Sequence, residues 1–135
     1  MKILQLWMPV VAWTGLIFYL SGIPDLKTNL ACDFILRKIA HITEYLILTG
    51  LLSRALRESF ALKSVGLFIF SVCLSVLYSI SDEFHQSFVP GRIGSLRDVL
   101  IDSIGVLGFF LVRRLHSFRF CKKEKIRGKN QSIEL

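Results

Sequence analysis

Four apolar runs divide the chain, and they cover about residues 3–24, 35–56, 62–84 and 96–115. The first run has no charged side chain between Ile3 and Pro24, and its 22 residues make about 33 Å of α-helix. A helix of that length crosses the hydrocarbon core of a bilayer, which is ~30 Å thick. The other three runs contain ionisable residues but stay rich in Leu, Ile, Val and Phe between them. The pattern predicts an all-α integral membrane protein, a bundle of four spanning helices.

Composition supports a membrane protein rather than a soluble domain. Of the 135 residues, 53% are hydrophobic, which is too apolar for a soluble chain of this size. The length suits one compact unit, so we assign residues 1–115 to the helix bundle and residues 116–135 to a basic cytoplasmic tail. Lys2 before the first run is also typical of signal peptides. However, no Ala-x-Ala cleavage pattern follows, and we expect an uncleaved anchor.

The positive charge is concentrated at the C-terminal end. The net charge is +7, and from Arg113 onward there are eight Lys or Arg against two Glu. Basic residues next to membrane spans stay on the cytoplasmic side and attract anionic lipid headgroups, so we expect no nucleic-acid partner. With four spans, both termini are then predicted to be cytoplasmic (N-in/C-in). The connections at residues 21–38 and 85–97 face outward in this arrangement.

Turn and capping residues mark the start of the fourth helix. Pro90-Gly91 is a strong turn dipeptide that separates the third helix from the fourth. Ser95 followed by Asp98 fits a capping box, with Asp98 in place of the usual Glu. At the other end of this helix, the final ~15 residues are polar and charged, which predicts loose order.

Ionisable residues interrupt three of the four runs at a similar depth. A charge inside a bilayer is unfavourable, so such residues usually face a bundle interior and often belong to a functional site. The residues follow helical spacing, and the three stripes are Arg37/His41/Glu44/Tyr45, Tyr78/Asp82/His85 and Asp98/Asp102/Gly105. Together they predict one polar pocket near the outer leaflet. Glu83 and Gln86 point ~100° away from Asp82 and His85, so only one of these two pairs is expected to be central.

The pocket residues suit the chemistry of phosphate-linked lipids. Arginine holds a phosphate with two parallel hydrogen bonds, which is the role predicted for Arg92 and Arg97 at the pocket mouth. His41 and His85 are the candidate proton carriers, because an imidazole gains or loses a proton around neutral pH. The further substrate-binding candidates on these helices are Arg37, Glu83, Gln86, Asp98 and Asp102.

In the catalytic interpretation, Glu44 and Asp82 are expected to orient the histidine rings, as carboxylates do in catalytic triads. Two alternatives use the same residues differently. A buried network of histidine, carboxylate and arginine also braces helices without any chemistry. A divalent metal is the second alternative, since carboxylate oxygens and imidazole nitrogens are its usual ligands. Its candidate ligands are His41, Glu44, Asp82, His85, Asp98 and Asp102.

Three segments resemble the VanZ-like family, and the resemblance runs over about residues 8–112. They are His41-Ile-Thr-Glu44-Tyr45, Ser81-Asp-Glu-Phe-His85-Gln86-Ser-Phe-Val-Pro90-Gly-Arg92 and Arg97-Asp98-Val-Leu-Ile-Asp102-Ser-Ile-Gly105. The resemblance implies a small, multi-pass protein of the bacterial cytoplasmic membrane; the family's namesake is linked to resistance to the glycopeptide antibiotic teicoplanin. A proposed kinship with lipid-headgroup enzymes would make it an enzyme of phospholipids or polyprenyl-phosphate carriers. Asp102 departs from the pattern, because the family often has Asn there.

Three functions from different classes remain open. The first is an enzyme that modifies a lipid-linked headgroup at the outer leaflet, on a membrane lipid or a lipid-linked cell-wall precursor. The second is a non-catalytic binder of lipids or lipoglycopeptides. The third is a small proton-coupled transporter, which is disfavoured because no polar residue is expected to continue from the pocket to the cytoplasmic face.

Overall fold

The structure, a computed structural model, is described over residues 2–24, 33–92 and 94–131. These residues form four α-helices and no β-strand, which confirms the all-α prediction. The helices are α1 (Lys2–Ser21), α2 (Asp33–Phe60), α3 (Ser64–Gln86) and α4 (Leu96–Gln131).

α2 and α3 form the middle of the bundle. They pack against each other, and both also pack against α1 and α4. The apolar core is built mainly on α2, and its buried residues are Val10, Ile17, Tyr45, Leu48, Leu52, Ala55 and Val106. Tyr45 is completely buried at the centre of α2, as expected for a core aromatic.

Hydrogen bonds from two aromatic side chains hold α1 against its neighbours. The Trp13 indole N–H donates to the Glu44 carbonyl on α2 at 3.0 Å. The Tyr78 hydroxyl on α3 donates to the Thr14 carbonyl on α1 at 2.6 Å. Both bonds satisfy the polar end of a large, partly buried side chain while its ring stays in the apolar interior. They hold the C-terminal half of α1 beside the first half of α2 and the second half of α3.

The outside of the bundle is apolar on every helix. Large apolar side chains are exposed on all four; Leu4 on α1, Leu77 on α3 and Leu107 on α4 are 55–73% exposed. Soluble monomers rarely expose apolar side chains on this scale, whereas lipid tails solvate them. Two helices, Ile3–Ser21 and Ser64–Gln86, are long and apolar enough to cross a membrane. The four-span arrangement stays a prediction.

α4 is longer than a membrane span requires. It runs unbroken past residue 115 to Gln131, and its 36 residues make about 54 Å of helix, against a hydrocarbon core of ~30 Å. Loose order of the final ~15 residues stays a prediction, and residues 121–131 of that segment continue the helix. The physical reason is that Lys, Arg and Glu are strong helix formers, and this segment extends a helix that is already nucleated.

The connection between α3 and α4 contains the expected turn and cap, with one difference. Gly91 adopts a φ of 80°, the left-handed conformation that glycine tolerates best. Ser95 caps α4, since its hydroxyl accepts from the backbone N–H two residues on at 3.2 Å. The capping box with Asp98 is wrong: the Ser95 N–H donates to Glu83 of α3 at 2.8 Å instead. Asp98 pairs with a lysine on α2.

α2 and α4 approach each other closely at Gly105. A Cβ atom at this position would lie 2.1 Å from the Ile42 carbonyl oxygen, far inside any contact distance. Only glycine therefore permits the observed packing, as expected for small residues at helix interfaces. Because Ile42 follows His41, this contact also sets how near α4 comes to the His41 side chain.

Candidate functional site

α2 and α4 bring acidic and basic side chains together at two successive levels. Lys38 Nζ pairs with the Asp98 carboxylate near the start of α4. One turn further along, His41 Nδ1 lies 3.3 Å from Asp102 Oδ1. The close approach at Gly105 is one turn beyond Asp102. The His41 ring therefore pairs with the Asp102 carboxylate, and Asp102 is completely buried.

Asp102 and Glu83 are buried carboxylates that each have one hydrogen-bonded oxygen. Ser79 Oγ donates to Asp102 Oδ2 at 2.6 Å, and the Ser95 N–H donates to Glu83 Oε2 at 2.8 Å. The second oxygens, Asp102 Oδ1 and Glu83 Oε1, are buried without a hydrogen-bond partner, as is His41 Nδ1. One ligand atom from each of these three residues lies within 4.8 Å of the others. The arrangement can hold a cation or share a proton.

A second polar network leads from α3 to the turn before α4. Gln86 Nε2 donates to Asp82 Oδ2 at 2.9 Å, and Arg92 Nη1 donates to Gln86 Oε1 at 3.2 Å. Arg92 Nη2 also donates to the Leu20 carbonyl at the end of α1, at 3.2 Å. This network ties the half-buried Arg92 to two helices and holds its guanidinium group in place.

A cavity of about 170 Å³ opens between the end of α1, the first half of α2 and the turn before α4. Its lining residues are Leu20, Ser21, Arg37, Ala40, His41, Glu44 and Arg92. Four of them, Arg37, His41, Glu44 and Arg92, are site residues that the sequence predicts. The cavity thus combines two guanidinium groups with one imidazole and one carboxylate.

Other predicted site residues lie outside the cavity lining. The exposed Arg97 is not part of it, and Asp98 is engaged by Lys38. His85 stacks on Phe18 of α1, with ring centroids 4.0 Å apart. Of the predicted metal ligands, His41 and Asp102 belong to the compact donor group, and its third member is Glu83. The remaining candidates, Glu44, Asp82, His85 and Asp98, are not members of that group.

The expectation that only one pair on α3 is central is wrong. Asp82, Glu83 and Gln86 are only 2–6% exposed, and His85 is half-buried. A separation of ~100° does not keep a side chain out of the interior here, because α3 packs against three other helices. The buried arc of α3 is correspondingly wide.

A stripe of buried serines on α3 is not among the site residues predicted from the sequence. Ser71, Ser75 and Ser79 are all 0% exposed and recur at every fourth position, which leads on to Glu83. Ser79 holds Asp102, and Ser75 shares a 3.0 Å hydrogen bond with Thr49 of α2. The four-residue spacing of small polar side chains was the signal that could have revealed them, because residues at i and i+4 share one helix face.

These hydroxyls also correct the prediction that no polar residue continues beyond the pocket. Thr49 and Ser53 on α2 are buried, and Arg113 Nη1 of α4 donates to Ser53 Oγ at 3.4 Å. Small hydroxyls bury easily in a helix bundle because they bond to helix carbonyls, as Thr49 does to the Tyr45 carbonyl at 2.7 Å. Buried polar groups therefore extend from Asp102 toward the opposite end of the bundle.

Comparison with known proteins identifies the family. A family model described as VanZ/LLP1 matches residues 3–117. The match includes α2, α3 and every residue that lines the cavity. No curated protein and no solved structure matches the chain. The family match confirms the resemblance carried by the three segments around His41, His85 and Asp102, and this chain belongs to the VanZ/LLP1 family.

Proposed function

We propose that this chain is an integral membrane protein that binds the headgroup of a phosphate-linked lipid in its cavity and modifies it. The observation that carries the proposal is the cavity lining, in which Arg37 and Arg92 lie around His41 and Glu44. Guanidinium groups hold phosphates through paired, charge-assisted hydrogen bonds. A histidine and a glutamate beside them can accept a proton from the headgroup or return one.

The size of the cavity supports a small headgroup. Its volume of about 170 Å³ is close to that of an engineered cavity, ~150 Å³, that binds benzene. A phosphate ester is of this size, whereas a lipoglycopeptide is many times larger. We therefore favour a phospholipid or polyprenyl-phosphate carrier as substrate over an antibiotic bound whole. Glycopeptide resistance would then be a consequence of altered lipid carriers.

Arg92 has the geometry that the proposal requires. Its bonds to Gln86 and to the Leu20 carbonyl use two N–H groups. A guanidinium has five such donors, so three remain for a ligand. Because the side chain is already held in place, less conformational entropy is lost when a phosphate binds.

Asp102 supports His41 from within the bundle. Its Oδ1 lies 3.3 Å from the ring nitrogen, and Ser79 holds its other oxygen. A carboxylate at this distance orients an imidazole through an ion pair when the ring is protonated. A His41–Asp102 pair that only braced the helices would not need to lie at the cavity. His41, however, is one of the residues that line the cavity.

The membrane arrangement is also part of the proposal. All four helices span the bacterial cytoplasmic membrane, both termini lie in the cytoplasm, and the cavity opens toward the outer leaflet. The apolar exterior and the two helices able to span a membrane support this placement. The basic C-terminal end supports its orientation.

Reporter fusions test that orientation. Fusions after residues 60 and 135 are expected to be cytoplasmic, and a fusion after Pro90 external, because the basic residues remain inside. The measurement is the ratio of alkaline phosphatase to fluorescent-protein activity at each site. An external reporter at residue 135 would contradict the outward placement of the cavity.

Substitution of Arg92 by lysine tests phosphate binding. Lysine offers a compact point charge and cannot reproduce the guanidinium fork. We expect Arg92→Lys to weaken binding of glycerol 3-phosphate by about 10- to 100-fold, the loss of one charge-assisted hydrogen bond. The readout is the ligand-induced rise in melting temperature of the purified protein in detergent.

Arg97→Lys is the matched control for this measurement. Arg97 is an exposed arginine near the start of α4 and does not line the cavity. The Arg97→Lys variant should therefore bind glycerol 3-phosphate as the wild type does. Equal binding by the wild type, Arg92→Lys and Arg97→Lys would remove the phosphate-fork interpretation and favour a binder that uses only the positive field.

A proton-coupled transporter is the second candidate, and the buried hydroxyls of α2 and α3 favour it. They include Ser75, Thr49 and Ser53, beyond the buried Asp102. Proton flux into vesicles separates the two functions. A transporter would lose flux on Ser75→Ala, whereas the lipid-modifying protein we propose shows no flux in either form.

A further inference from the structure

Three buried side chains from three different helices converge inside the bundle. His41 of α2, Glu83 of α3 and Asp102 of α4 each place one ligand atom within 4.8 Å of the other two. We propose that these three residues bind a single divalent transition-metal ion. The proposal does not rest on the headgroup function, because it needs no lipid.

The donor atoms are unsatisfied, which is the observation that points to a ligand. Glu83 and Asp102 are 5% and 0% exposed, and neither Glu83 Oε1 nor Asp102 Oδ1 has a hydrogen-bond partner. His41 Nδ1 is also buried; it lies 3.3 Å from Asp102 Oδ1 but makes no hydrogen bond with it. A buried polar atom left without a partner is unfavourable, and two carboxylates in one interior also repel each other. A bound cation removes both penalties at once.

The surroundings hold the carboxylates in an orientation suited to a metal. Ser79 Oγ engages Asp102 Oδ2, and the Ser95 N–H engages Glu83 Oε2. Each carboxylate is therefore fixed by one oxygen and presents the other to the centre of the group. Hydrogen bonds of this kind orient the ligands in metal sites and tune their affinity.

The donor set selects the class of ion. One imidazole nitrogen and two carboxylate oxygens suit Zn²⁺, Mn²⁺ or Fe²⁺, and this donor group of described residues contains no thiolate to favour a softer metal. Three protein ligands also leave a coordination position open, as catalytic zinc sites do. With the ion on Nδ1, the proton of the His41 ring is on Nε2.

Metal binding to the purified full chain in detergent micelles tests the proposal. After treatment with a chelator and addition of Zn²⁺ or Mn²⁺, elemental mass spectrometry should find about one ion per chain, with a raised melting temperature. Glu83→Gln and Asp102→Asn should weaken binding by more than about 100-fold, beyond the effect of losing an outer-shell partner. Asp98→Asn is the matched control, since Asp98 is outside the donor group and pairs with Lys38.

A variant that keeps all three ligands covers the case in which the ligand variants fold poorly. Ser79→Ala removes the hydrogen bond to Asp102 while all three ligands stay in place, and it should weaken metal binding by about 10- to 100-fold. The competing explanation is that the three groups share protons. In that case the folded wild type, treated with a chelator and then given Zn²⁺ or Mn²⁺, binds no ion, and this result overturns the proposal. Equal loss of binding in Asp98→Asn and Glu83→Gln also overturns it, because Asp98 is not one of the three ligands.

Discussion

His41→Ala is expected to lower the lipid-modifying activity by about 10²- to 10⁴-fold, the usual contribution of a positioned acid or base. The ring lies on the cavity wall beside Glu44 and against Asp102, so its removal takes away the proposed proton-handling group and exposes Asp102 to the cavity. The measurement is the conversion of bacterial lipid extract in vesicles that contain the purified protein, followed by phosphorus NMR.

His85→Ala is the matched control, because it removes the same ring from the same end of the bundle. His85 stacks on Phe18 and does not line the cavity, so we expect this variant to keep most of the activity. Loss of a buried pair can itself destabilise a protein, by about 3–5 kcal/mol when a charge is left unpaired. His41→Gln, which keeps a polar group for Asp102, separates the two effects. An inactive but folded His41→Gln supports catalysis, whereas restored activity would indicate a bracing role.

Gly105→Ala is expected to destabilise the protein by roughly 3 kcal/mol or more, the upper end for overpacking an interior. The added Cβ would lie 2.1 Å from the Ile42 carbonyl oxygen and 3.1 Å from the Leu46 nitrogen. Both atoms belong to the α2 backbone, so relief requires the helices to move apart. That movement would also separate His41 from Asp102. Thermal unfolding in detergent measures the stability.

Gly108→Ala provides the control on the same helix. Its Cβ would meet only a Leu46 methyl carbon at 3.8 Å, an ordinary contact. Alanine in a helix interior is more favourable than glycine by about 0.5–1 kcal/mol, so this variant should be neutral or slightly more stable. A Gly105→Ala protein as stable as Gly108→Ala would contradict the close approach of α2 and α4.

Spacing along single helices was predictable because it depends on local geometry alone. The apolar runs predict the four helices, and the stripe of Arg37, His41 and Glu44 lies on one face of α2 and lines the cavity. Residues three, four and seven apart share a helix face wherever that helix packs. The turn before α4 was predictable for a similar reason, since Pro and Gly have strong backbone preferences.

Contacts between helices were not predictable in the same way. Glu44 and Asp82 are the predicted partners of the histidines, whereas the contact to His41 comes from Asp102. That pairing depends on how closely α4 approaches α2, which the single residue Gly105 permits. Glu83 is a similar case, because its partner is a backbone N–H of a residue twelve positions away. No periodicity along one helix encodes such distances.

Lipid mass spectrometry of bacterial membranes tests the central claim most directly. Membranes from cells that carry the chain are compared with membranes from cells that lack it and from cells that carry His41→Ala at the same protein level. The account predicts that the wild type alone changes the abundance or headgroup mass of a phosphate-linked lipid. Identical lipid profiles in all three, with folded protein present in the membrane, would contradict it.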